Sequence, residues 1–191
     1  CMKVFGVSLL ATPSFSDTNL IYVATITAEY LDNNEDGTVD DLATNASLAS
    51  RYGTMFLAGS DFDGSGPQST GRLEDSGPLA HIKHMARQYE YETSPGGTLC
   101  GGRCGTPSDA TLEEVLHLIQ KGGYAYAHPD LSPGDTFHRE VRVPNLLTEA
   151  MDVARGGYHP TTPSVYPDSA WYHYADQSSD YYGHATEYFY W

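Results

Sequence analysis

Two rhythms of apolar and polar positions run through this chain of 191 residues. Residues 3–10, KVFGVSLL, are almost continuously apolar, which predicts a strand buried on both faces. Ser16-Asp17 then offers a helix cap, and Leu20, Val23, Ala24, Thr27 and Leu31 recur at helical spacing. That periodicity stops at LDNNEDGTVDD (31–41) and resumes in VDDLATNASLASRY (39–52), so a helix–loop–helix is predicted around a run of acids. GTMFLAGS (53–60) reads as a strand and DFDGSGPQSTGR (61–72) as a loop, whereas residues 79–92 suit helix or strand equally.

Beyond a Gly-rich stretch, SPGGTLCGGRCGTPSDA, the pattern predicts a helix from Pro107 to Lys121. Thr106 would cap it, Pro107 suits its first turn, and Gly122-Gly123 would end it. Leu112, Val115, Leu116 and Ile119 form its apolar face. HREVRV (138–143) alternates as a strand does, Asn145 caps a helix through LLTEAMDVAR that stops at Gly156-Gly157, and a final helix starts near Ser179. The sum is one α+β domain with several helices, a small sheet and long Gly/Pro-rich loops.

Charge sharpens this picture. Twenty-five Asp and Glu against ten Lys and Arg leave a formal net charge of −15, which excludes a phosphate-reading nucleic-acid binder. No apolar run approaches the roughly 18 residues of a membrane span. Fifteen Tyr against six Phe and two Trp, with little Lys, point to an extracellular, secreted protein. Asn45-Ala46-Ser47 is a glycosylation sequon. Cys100 and Cys104 could close a small disulfide loop, or Cys1 could pair with one of them; two thiolates alone make a poor zinc site. A lipid-modified Cys1 fits less well, because a strand-like segment rather than a polar tether follows it.

Asp32, Asn34 and Asp36 stand at alternate positions before Gly37, with Thr38 and Asp40 beyond. The stretch resembles the calcium loops of EF-hands, dockerins and thrombospondin type 3 repeats, in which these places are ligand positions 1, 3, 5, 7 and 9. A loop wound round a hard cation turns every second oxygen inward, and glycine permits the bend that brings in the carbonyl at position 7. The departure is at position 12, where Ala43 replaces a bidentate Glu; Asp41 or Glu29 are the substitutes at hand. Calcium is therefore the expected cofactor, bound in the extracellular range of about 10⁻⁴ to 10⁻³ M. Asp61, Asp63 and Ser65 in SDFDGSG form a shorter candidate.

LEEVLHLI resembles the H-E-x-x-H helix of zinc proteases, with Glu113 in the place of the first His, Glu114 in that of the general base and His117 in that of the second ligand. No third ligand follows at that family's spacing, although Asp180, His184 and Glu187 share a helix face that could complete a two-helix site. The aromatic run ending in Tyr188, Phe189, Tyr190 and Trp191 is expected to be covered, by its own domain or by another copy in a homo-oligomer or filament. AEYLDNNEDG, EEVLHLI, EAMDVARGG and AWYHY together resemble an uncharacterised family of extracellular proteins, a resemblance that implies secretion and no activity. The expected function is a secreted calcium-binding structural or self-assembling protein without catalysis. The alternatives are a divergent zinc-dependent hydrolase and a carbohydrate-binding module that stacks glycans on Tyr.

Overall fold

A computed structural model describes residues 1–61, 82–97 and 109–191. The chain separates into two compact units, Cys1–Gly123 and Tyr124–Trp191.

In the first unit a four-stranded mixed sheet runs in the order β1 (Met2–Val4), β2 (Val7–Ala11), β3 (Thr54–Ala58), β4 (Met85–Tyr89). The single strand predicted over 3–10 is instead a hairpin, with β1 antiparallel to β2 and Met2 opposite Leu9. Its turn places Phe5 at φ 49°, a left-handed conformation that a bulky residue does not announce in sequence. β2, β3 and β4 are mutually parallel. A parallel strand buried on both faces needs apolar residues throughout, and Val7, Leu9, Met55 and Leu57 have no exposed surface.

The connection from β2 to β3 carries α1 (Asp17–Leu31) and α2 (Leu42–Ser50), the expected helix–loop–helix. Ser16 caps α1 by accepting from Asn19 N, and Asp41 caps α2 by accepting from Ala43 N and Thr44 N. The undecided stretch 79–92 resolves, from Ile82 onward, into β4 and a 3₁₀ turn at Glu90–Glu92.

α3 (Thr111–Ile119) packs on β4 and α1, and it begins four residues later than predicted. Asp109 is drawn into a bridge with Thr93 and accepts from Thr111 N and Tyr22 Oη; Thr106 and Pro107 lie outside the described residues. Nor do the two glycines end the helical run, which continues as a π turn (Gln120–Tyr124) and a single turn, α4 (Ala125–Ala127). They are required by close approach. A Cβ on Gly123 would stand 2.7 Å from Thr44 Cγ2, and one on Gly122 3.2 Å from the Leu48 and His84 side chains.

In the second unit α5 (Leu146–Ala154) is capped by Asn145 and Thr148 in a reciprocal box, and Gly156 and Gly157 follow at φ 75° and 144°. α6 (Tyr181–Tyr190) is capped by Asp180. Met151, Tyr181 and Ala185 meet in a fully buried cluster, with Tyr188 packed against it. Residues 138–143 form a turn at Arg139-Glu140 and irregular chain rather than the strand their alternation predicts. Their arginines are held by side chains of α5 and α6: Arg139 pairs with Asp180 at 2.6 Å and lies over the Tyr182 ring, and Arg142 pairs with Asp152 at 2.6 Å. Val141 and Val143 are left exposed.

The α+β class read from sequence is that of the structure. No described helix is long and apolar enough to cross a membrane.

Candidate metal centre

α1 ends where the apolar spacing does, at buried Leu31, and Asp32 continues the helix by one backbone bond to Ala28 O. Asp32 is only 7% exposed, yet among the described residues no Lys, Arg or His pairs with it, with Asp36 or with Asp40. Backbone amides bind these acids instead. Asp32 Oδ1 accepts from Asp36 N at 3.1 Å and Oδ2 from Gly37 N at 2.8 Å. Asn34 Oδ1 accepts from Asp36 N, Asp36 Oδ1 from Thr38 N and Asp40 Oδ2 from Asn33 N.

The chain thus winds about its own alternate side chains. Gly37 at φ 85° makes the bend; nothing stands within 4 Å of where its Cβ would be, so the glycine is there for its conformation. Glu35, at φ 59°, takes the same strained region without that freedom. Asp41 spends both oxygens on the α2 cap and on Thr44 Oγ1, which removes it as a substitute for the absent twelfth ligand. Glu29 stands exposed on α1.

The donor set is hard oxygen throughout, as calcium requires. Among the described residues, one carboxylate oxygen of Asp36 and one of Asp40 make no bond to the backbone. The three acids do not gather to within 4.8 Å of one another, as mutual repulsion dictates.

On α3, Glu113 and His117 share a face, and their ligand atoms lie within 4.8 Å of each other. His117 is buried, and burial first, then Lys121, hold its pKa well below the usual imidazole range. It is therefore neutral at pH 7, the form that ligates metals. Glu114 is half-buried one residue on. The second unit engages two of the remaining predicted ligands itself: Asp180 caps α6 and pairs with Arg139, and His184 Nε2 meets Thr162 Oγ1 at 2.7 Å. Glu187 is half-buried on the same helix.

Asn45 lies on α2, where its Oδ1 accepts from Gly6 N at 2.7 Å. Cys1 is an exposed free thiol, and Cys100 and Cys104 lie outside the described residues. Of the shorter acidic candidate, Asp61 bonds Ser14, while Asp63 and Ser65 are likewise outside. Three of the four terminal aromatics are half-buried, with Tyr188 edge-on to Tyr172 at 5.1 Å and Phe189 5.9 Å from Tyr124. Trp191 is not covered within its own chain: it is 68% exposed and touches Tyr190.

One arrangement in the first unit had no signal in sequence. Glu90 ties the end of β4 to the start of α1, accepting from Ser16 N and Asn19 Nδ2. Comparison with known proteins finds no matching family model, no matching curated protein and no matching solved structure.

Proposed function

We propose that this is a secreted calcium-binding structural protein, in which Asp32, Asn34, Asp36, the Thr38 carbonyl and Asp40 hold the ion. The observation that carries the reading is the loop's winding: alternate side chains at positions 1, 3 and 5 accept backbone amides across a left-handed glycine, around a buried carboxylate with no basic partner among the described residues. A bound cation supplies the charge these acids lack. Because the loop joins α1 to α2 within the β2–β3 connection, its order is coupled to that of the sheet. Extracellular calcium, at about 10⁻³ M, suits a site without a bidentate Glu. Self-assembly through the exposed Trp191 belongs to the same proposal.

Thermal unfolding with and without a chelator tests it. Asp36→Ala lowers Tm in calcium and leaves the chelated value nearly unchanged; equal shifts in both conditions would exclude the site. A second reading, zinc at Glu113 and His117, is favoured by the proximity of those ligand atoms and the neutral imidazole. Elemental analysis giving one zinc per chain, lost in His117→Ala but kept in Asp36→Ala, would replace calcium as the functional metal.

A further inference from the structure

The second unit buries a guanidinium that no carboxylate among the described residues pairs with. Arg155 follows α5 as its C-cap, and its side chain has no exposed surface. Nη1 donates to His159 O at 3.1 Å and Nη2 to Thr161 O at 3.4 Å, while Cζ stands 5.8 Å from the Tyr166 ring centroid. Within the unit, Asp180 is held by Arg139 and Asp152 by Arg142. A cation removed from water without a counter-charge is strongly disfavoured.

Arg155 Nε, His184 Nδ1, His159 Nε2 and Tyr172 Oη are buried in this unit without partners, and their residues are tied to the chain about Arg155: Tyr172 N donates to Ala154 O, Arg155 to His159 O and Thr161 O, and Thr162 meets His184. They lie within electrostatic reach of one another. Burial and then Arg155 depress the proton affinity of His184, and Arg155 also draws down that of Tyr172 against the larger effect of burial. Asp176 and Asp180 act on His184 in the opposite sense and His159 in the same one; Glu187 acts on Tyr172.

The tautomer of His184 follows from its neighbour. Thr162 donates its one hydroxyl proton to Asp176 O, so it accepts from His184 Nε2–H. The neutral ring therefore carries a bare lone pair on buried Nδ1. Two donors, Arg155 Nε–H and Tyr172 Oη–H, and one acceptor thus go unused, with His159 Nε2 beside them, next to a guanidinium that no described carboxylate pairs with.

We infer that this cluster is a binding site for a small oxyanion that keeps a proton of its own, such as hydrogenphosphate. Its oxygens accept from Arg155 and Tyr172, and its hydroxyl donates to His184 Nδ1. A water molecule satisfies the neutral atoms and brings no charge to Arg155. Sulfate brings charge but opposes the lone pair of Nδ1 with another.

Calorimetric titration of the full chain at pH 7 with inorganic phosphate, and in parallel with sulfate, tests the assignment. Phosphate is expected to bind about tenfold or more tightly than sulfate, and Tyr172→Phe to weaken it about tenfold, the scale of one hydrogen bond to a charged group. In phosphate-free buffer the same variant keeps its Tm or gains, because the phenol it loses has no partner there. Phosphate also moves the Nδ1 resonance of His184 in nitrogen NMR, a readout that holds even where Arg155→Lys does not fold. Absence of phosphate binding, equal affinity for sulfate, or an unchanged affinity in Tyr172→Phe would each overturn the assignment.

Discussion

Asp32 and His84 are both buried and ionisable, and they answer burial differently. Asp32 gains two amide donors from its own loop, an arrangement legible in the spacing of Asp32, Asp36 and Gly37. His84 has Arg51 and Lys121 as charged neighbours, and burial first, then those cations, lower its pKa to about 4. Nothing local in HIKHMA announces this, because the cations come from other elements. The sign of its pH effect follows: between its unfolded pKa near 6.5 and about 4 the unfolded chain binds the extra proton, so stability is lost as pH falls through that window and is fully present above it. His184, lowered to about 4 chiefly by burial, acts in the same direction. Tm is expected to drop between pH 7 and pH 5, and His84→Gln to flatten the slope; a wild-type Tm that rises over that range would refute it.

Elements were read best where periodicity was long and capped. α1 and α5 lie where the apolar spacing and Ser16 or Asn145 place them, α2 falls within the stretch 39–52, and α6 starts two residues after Ser179. The failures share a cause, which is that distant partners decided them. HREVRV alternates, yet no described strand pairs with it, and its arginines are claimed by Asp180 and Asp152. Gly122-Gly123 reads as a helix stop, but α2 passes so close that a Cβ is excluded while the helical hydrogen bonding continues. Gly123→Ala, driving Cβ to 2.7 Å from Thr44 Cγ2, is therefore expected to cost about 1–3 kcal/mol by overpacking, although alanine is the better helix former. Leu57→Ala in β3, where the side chain has no exposed surface, should cost about 2–5 kcal/mol; denaturant unfolding measures both.

At the scale of the whole molecule, a net charge of −15 and an exposed Trp191 pull in opposite directions. Like charge keeps copies apart, and an exposed indole draws them together once that charge is screened. Under the calcium reading, light scattering is expected to show larger particles in millimolar calcium than in chelator, and Trp191→Ser to abolish the difference. Particles that stay monomeric in both conditions would remove assembly from the proposal while leaving the ion site to its own test.

The order of its letters was enough to set the helix–loop–helix, the acidic loop with Gly37 at its bend, the apolar strand β3 and the α+β class, because each depends on neighbours within a few positions. The hairpin at Phe5, the late start of α3, the clasp of Glu90 on α1 and the lone buried Arg155 beside His184 were settled only by folding. Each joins residues far apart along the chain or trades local preference for a contact that exists only after packing.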